Sequence, residues 1–169
     1  MEKALKVIRE LRDKGLIKDF AIGGGIAVLY YVEPLLTYDL DIFFVPTEER
    51  FDPLTPLYDY LKGKGYKAQR EHVIIEGVPV QFIPVYNELV KEAVENSNRV
   101  KYGRMNTDVV TVEYLVAIMF QTYRPKDRER LLKILEEVRV DQKFLMSLLR
   151  RFQLYEKYIK FRERYFESE

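Results

Sequence analysis

Apolar residues recur along this chain at two periods, helical and alternating, and the switches between them divide it into elements. Over residues 2–15, Ala4, Leu5, Ile8 and Leu11 share one face, with Leu16 just beyond Gly15. That spacing predicts an amphipathic helix packed on a sheet and ended by the glycine. A short apolar strand follows at 20–22, then Gly23-Gly24-Gly25, then an apolar helical turn or two over 26–31. Pro34 marks a loop, and a second strand is predicted over 40–45. Leu54, Leu57, Tyr58 and Leu61 predict a helix over 53–62, closed by Gly63 and Gly65. Residues 66–71 and 72–76 read as strands, Gly77 as a turn, and 78–84 as the strand completing a hairpin. Pro79 inside that last strand argues that it starts at an edge or carries a bulge.

The second half is mostly helical in pattern. Leu89, Val90 and Ala93 predict a helix over 87–95, broken at Asn96-Ser97-Asn98, and 100–110 reads as a strand or hairpin. Thr111 is a candidate N-cap, with Glu113 in the first turn to complement the helix dipole. The helix over 112–123 is apolar on nearly every side, which predicts burial. Arg124-Pro125-Lys126-Asp127 interrupts it, and Leu131, Leu132, Ile134 and Leu135 predict the next helix over 128–138. Asp141 caps a last helix whose stripe runs from Phe144 through Leu148 and Phe152 to Ile159. Aromatics at that spacing are a core face rather than a cofactor site. The pattern is α/β (α+β): a small mixed sheet flanked by helices over 1–110, and a helical part over 111–169.

Composition narrows the classes. A chain of 169 residues with 47% hydrophobic content fits one domain or one small core with a helical appendage. Its net charge of +1, without runs of like charge, gives no footprint of a constitutive nucleic-acid binder. The absence of cysteine excludes disulfides, thiolate zinc sites and a cysteine nucleophile. No apolar run is long enough to span a membrane, and the start MEKALKVIRE lacks a signal-peptide core, so a cytoplasmic protein is expected. Charged residues at 33% without Cys or Trp are compatible with a thermophilic source.

Candidate chemistry concentrates in residues 19–45. Three glycines between a strand and a helix allow close backbone approach to a ligand. The N–H groups and dipole at the start of such a helix favour phosphate. Asp39 and Asp41, two apart at a strand start, project to one face. Paired carboxylates are hard-oxygen ligands suited to Mg²⁺, which commonly arrives with substrate phosphates. Together they point to a nucleoside triphosphate (NTP) site. His72 reads as a strand residue on a partly exposed face rather than as a base or metal ligand. The tail tyrosines Tyr155, Tyr158 and Tyr165 could pack against a second copy in a homodimer, although terminal aromatics commonly pack within their own chain.

These residues resemble the nucleotidyltransferase superfamily that includes DNA polymerase β and the kanamycin nucleotidyltransferases. The likeness extends to the small nucleotidyltransferase-like toxins of bacterial abortive-infection systems, over roughly residues 18 to 155. In that pattern Gly24-Gly25 open the phosphate-binding helix, with Thr37 just ahead of the metal-binding Asp39 and Asp41. The Arg124-Pro125-Lys126-Asp127 turn matches an Arg-x-Lys-Asp turn, which makes Lys126 and Arg124 possible phosphate contacts. Two positions depart from it. Gln81, in Gly77-Val78-Pro79-Val80-Gln81-Phe82, stands where the family has a third carboxylate, and Met119 stands where relatives carry a lysine. Glu76, on the hairpin, is a candidate substitute carboxylate, and a solvated hairpin position is its simpler reading.

The resemblance implies a nucleotidyltransferase-like fold and Mg²⁺-dependent transfer of a nucleoside monophosphate (NMP) from an NTP to an acceptor hydroxyl. Asp39, Asp41 and Gln81 would lie at the reacting end. The acceptor can be tRNA, a protein or a small molecule, and a small antitoxin is the implied partner. The alternative is a catalytically inactive binding or regulatory module, with Gln81 and Met119 as marks of lost catalysis.

Overall fold

The computed structural model describes residues 1–32, 39–49 and 51–167. Its first half runs α1 (Glu2–Asp13), β1 (Ile17–Ile22), α2 (Gly24–Tyr31), β2 (Leu40–Pro46), α3 (Thr55–Gly63), β3 (Lys67–Gln69), β4 (His72–Ile75) and β5 (Val78–Pro84). Then follow α4 (Glu88–Glu95), β6 (Asn98–Tyr102), β7 (Met105–Val109), α5 (Val112–Thr122), α6 (Pro125–Glu137), α7 (Gln142–Arg151) and α8 (Tyr155–Tyr165). The strands form one mixed sheet in the order β3-β4-β5-β2-β1-β7-β6. This is a mixed α/β architecture, as the pattern predicts.

Period two decides which side chains the sheet offers to each side. In β2, Leu40, Ile42 and Phe44 are fully buried, while Asp41 and Phe43 point the opposite way. β5 pairs β2 in parallel, with Asp41 opposite Gln81 and Phe43 opposite Ile83. The sheet therefore carries two adjacent rows on one face, polar then apolar. Helices α1 and α4 pack on the central strands, and α2 lies between β2 and α5. Residues Tyr114 to Phe120 of α5 are all buried, matching their uniformly apolar sequence.

Some expectations hold and others need correction. β5 lies between β4 and β2, but its first residues, Val78 and Pro79, pair with β4 alone, so the strand does start at an edge. Pro79 is tolerated because the ladder to β2 begins one residue later, at Leu40 and Val80, so the missing N–H falls outside it. α6 begins at Pro125 rather than at 128. A proline at the first helical position has no N–H to waste there and a φ already suited to the helix. The predicted last helix is two, α7 and α8, separated where Gln153 takes a left-handed conformation at φ 60°. No glycine or proline signals that break. Thr111 stands at the N-cap of α5 without a side-chain cap bond; Glu113 lies in the first turn as expected and also accepts the backbone N–H of Asp141 at 2.9 Å. Asn87 and Asp141 do cap their helices, accepting from Val90 N and Phe144 N.

Tyr158 and Phe161 of α8 pack edge-on against Phe120 of α5, so the tail aromatics serve the core of this chain. Tyr165, more exposed, leans on Phe161. No helix among the described residues is long and apolar enough to cross a membrane.

The turn between α5 and α6 is fixed by a buried acid. Asp127 is 1% exposed and accepts from the Arg124 backbone N at 3.0 Å, Arg124 Nε at 2.9 Å and Thr122 Oγ1 at 2.8 Å. Burial pushes this carboxyl up, but the Arg124 and Thr122 hydrogen bonds prevail and hold it below the usual carboxylate range. A depressed folded-state value contributes stability above the unfolded-state value, about 4, that is lost as pH falls below it. Asp127→Asn should therefore cost ~1–3 kcal/mol at neutral pH. The gap to wild type should narrow below about pH 4, as urea melts at neutral pH and pH 3 would show.

Candidate active site

Gly23 ends β1 and precedes α2, and its N–H donates to the Asp41 carbonyl at 2.9 Å. Gly24, the first residue of α2, has φ +55°. A Cβ there would overlap Oδ2 of Asp41, so both the backbone angle and the space demand glycine. Gly25 is buried inside the helix rather than ahead of it. No side chain caps α2, so its first N–H groups keep their capacity for a ligand.

Asp41 and Gln81 form the polar floor of a cavity of about 220 Å³, beside Phe43 and Ile83. Leu115, Ile118 and Met119 of α5 make an apolar wall. Arg124, Lys126 and Arg130, at the turn and first turns of α6, make a cationic one, and Tyr86, about half exposed, borders the cavity. Burial raises the Asp41 carboxyl above its ordinary range; Lys126 and Arg130 pull it down, Asp39 pushes it up, and Arg124 pulls more weakly.

Asp39 stands one residue ahead of β2 and is 53% exposed. Its Oδ2 is 3.7 Å from Nε2 of His72, and the two border a separate open depression with Gln69 and Arg70. The β4–β5 ladder pairs Val73 with Val80, so the next register position sets His72 beside Gln81 and continues the row from Asp41. Sequence spacing gave no hint of this, because antiparallel register is invisible until the turn length is known. Glu76 sits at the hairpin turn, accepting from Tyr66 OH at 2.9 Å, well along the strand from Gln81. Thr37 lies outside the described residues.

No protein-family model matches the chain, and no curated protein matches it. Among solved structures, an antigenic nucleotidyltransferase-like protein from Paracoccidioides brasiliensis superposes with a TM-score of 0.51 at 13% identity, over 86% of this chain and 84% of that one. The antibiotic-resistance factor ANT(2'')-Ia in solution gives a TM-score of 0.53 at 14% identity, over 95% of each chain. Its crystal structure in complex with adenylyl-2''-tobramycin gives 0.52 at 15% identity, over 93% of this chain and 95% of that one. At such identities the likeness is one of fold. The chain has the nucleotidyltransferase-like fold.

Within that fold, Gly24, Asp41, Gln81 and Lys126 gather at one cavity, while Asp39 faces His72 beside it. Arg124 is not free for a ligand in the way Lys126 is, since its guanidinium holds Asp127. Arg130 and Tyr86 are cavity residues that the sequence reading did not single out. Arg130 lies four residues after Lys126, a spacing that becomes informative only once α6 is known to start at Pro125.

Asp41 and Gln81 offer the cavity a carboxylate and an amide oxygen, hard donors of the kind Mg²⁺ takes, while Asp39 borders the neighbouring depression. Among the described residues no group of three His, Cys, Asp or Glu gathers to hold a metal more fully. Without such a partner, Asp41 is an acid kept charged in a half-buried place at a cost to stability. Its folded-state value is raised, so the cost is present at neutral pH and vanishes as pH falls below the unfolded-state value. Asp41→Asn should raise the melting temperature by roughly 2–4 °C at pH 7. Near pH 3, where wild-type Asp41 is protonated in both states, calorimetric melts of the two proteins should coincide.

Proposed function

We propose that this chain is a nucleotidyltransferase that moves NMP from an NTP to an acceptor hydroxyl. The observation that carries the reading is the register pair Asp41 and Gln81 beneath a glycine-started helix, facing Lys126 and Arg130 across one cavity. In the reaction the acceptor oxygen bonds to the α-phosphorus, the bond from that phosphorus to the bridging oxygen breaks, and pyrophosphate leaves with the electron pair. The acceptor proton passes to solvent or to a carboxylate of the site. Mg²⁺, when bound on Asp39 and Asp41, would neutralise charge at the α-phosphate.

The chain's own residues supply the rest. Gly24 lets the phosphates approach the first turn of α2, and Lys126 and Arg130 face their charge. Gln81 orients a group through its amide without acting as a base. Positioning and electrostatics account for most of the catalysis of such a transfer, so a site with one carboxylate fewer is slowed rather than abolished. Residues 1–110 would carry the reacting groups and 111–169 the cationic wall. The Arg-x-Lys-Asp turn supports kinship with the abortive-infection toxins, for which a small antitoxin partner is expected. The acceptor belongs to one of three classes: tRNA, a protein hydroxyl or a small molecule such as an antibiotic.

Transfer of labelled NMP by wild type, Gln81→Asp and Gln81→Asp/Met119→Lys tests the proposal. An aspartate at 81 restores a carboxylate directly beside Asp41, and general-base assistance is typically worth roughly 10²–10⁴-fold. A clear rise over a slow wild type is expected. No transfer by any of the three, across several NTPs with RNA and protein acceptors present, would sink the enzyme reading and leave a nucleotide-binding module.

A further inference from the structure

Charge in the cavity does not balance. Arg124, Lys126 and Arg130 line it against Asp41 and Asp127. Asp127 is committed within its own turn, to Arg124 and Thr122. That leaves Lys126 and Arg130 set against Asp41 alone, and neither forms an ion pair or hydrogen bond with another described residue. The two are four residues apart on a thirteen-residue helix, so they project from one face a single turn apart. Like charges at that spacing disfavour the helix, a cost that a bound polyanion reverses. Asp41 feels Lys126 first and Arg130 second among these cations. One carboxylate is thus shared between two cations, in a cavity large enough for several heavy atoms of a ligand.

We infer that Lys126 and Arg130 hold the phosphates of the nucleotide directly, so that the nucleotide binds this chain without a divalent metal. The inference rests on the reading of the cavity as a nucleotide site. It assigns capture of the triphosphate to protein cations on α6 and leaves the metal a role in the reaction alone. It also reverses the expected role of Asp41 in binding: without metal, its negative charge faces the phosphates and opposes them.

Binding of a fluorescent ATP analogue, chased by ATP, GTP or inorganic tripolyphosphate, tests this on the full chain in EDTA and in Mg²⁺. Measurable affinity in EDTA, weakened by added salt, is the expected result. Lys126→Gln and Arg130→Gln should each lose roughly ten-fold or more, the usual worth of a charge-assisted hydrogen bond. Both side chains lie at the surface of α6 or near it, so the fold should survive, which circular dichroism checks. Asp41→Asn should bind more tightly than wild type in EDTA. Binding in Mg²⁺ but none in EDTA overturns the inference and leaves the nucleotide site standing, whereas no binding in either medium overturns both. Unchanged affinity in both cation variants, or weaker binding by Asp41→Asn in EDTA, overturns the assignment to this pair.

Discussion

The contact between Gly24 and Asp41 is the constraint on which the site depends. The carboxylate of Asp41 occupies the space that any side chain at position 24 would need, and the positive φ at Gly24 is closed to most other residues. The Gly23 N–H bond to the Asp41 carbonyl ties the same two segments through the backbone. The start of α2 and the polar position of β2 are therefore set by one another. Everything nearby inherits that geometry: Ala27 and Val28 are fully buried one turn later, and the parallel ladder carries the alignment across to Gln81. A residue larger than glycine would have to displace the one carboxylate that both the sheet and the cavity present.

The opposite wall depends on a different buried acid. Asp127 bridges the end of α5 and the start of α6, and this fixes the direction in which α6 leaves. Lys126 flanks Asp127 in sequence and Arg130 follows one turn later, so the cap that satisfies the helix start also sets the cations. Both walls thus use a polar group that is costly to bury, held by a turn whose backbone leaves little choice. Their separation in sequence, from residue 24 to residue 130, is bridged by the apolar α5, which packs against α2 on one side and α6 on the other. The uniform apolarity of α5 is what lets it serve two neighbours at once.

Much of this was legible in the sequence because period and punctuation are local. The strand over 78–84 was read with its observed bounds, and the apolar helix beginning at 112 was predicted as buried. What escaped was non-local or ambiguous. Pro125 reads equally as an interruption or as a first helical residue, and only the cap at Asp127 decides. Gln153 takes a left-handed turn without the glycine that would announce it. Asp39 and Asp41 share a parity and a sheet face, but Asp39 stands one residue ahead of β2, which begins at Leu40. There it meets His72, whose place beside Gln81 follows from a hairpin register that spacing alone could not give.

The residue that bears most on the proposed chemistry is the neutral amide at position 81. A carboxylate there would stand directly across the ladder from Asp41, and two like charges at that distance raise each other's titration unless a cation lies between them. Glutamine carries no charge, so that repulsion does not arise between positions 41 and 81. The same change leaves Lys126 and Arg130 with less negative charge to face, while their own positions on α6 are unaffected. The field in the cavity accordingly shifts toward attraction of anions and away from deprotonation of a hydroxyl. On the proposed reading, capture and chemistry, which a full set of carboxylates would couple through one metal, would be separable properties carried by different walls of the same cavity.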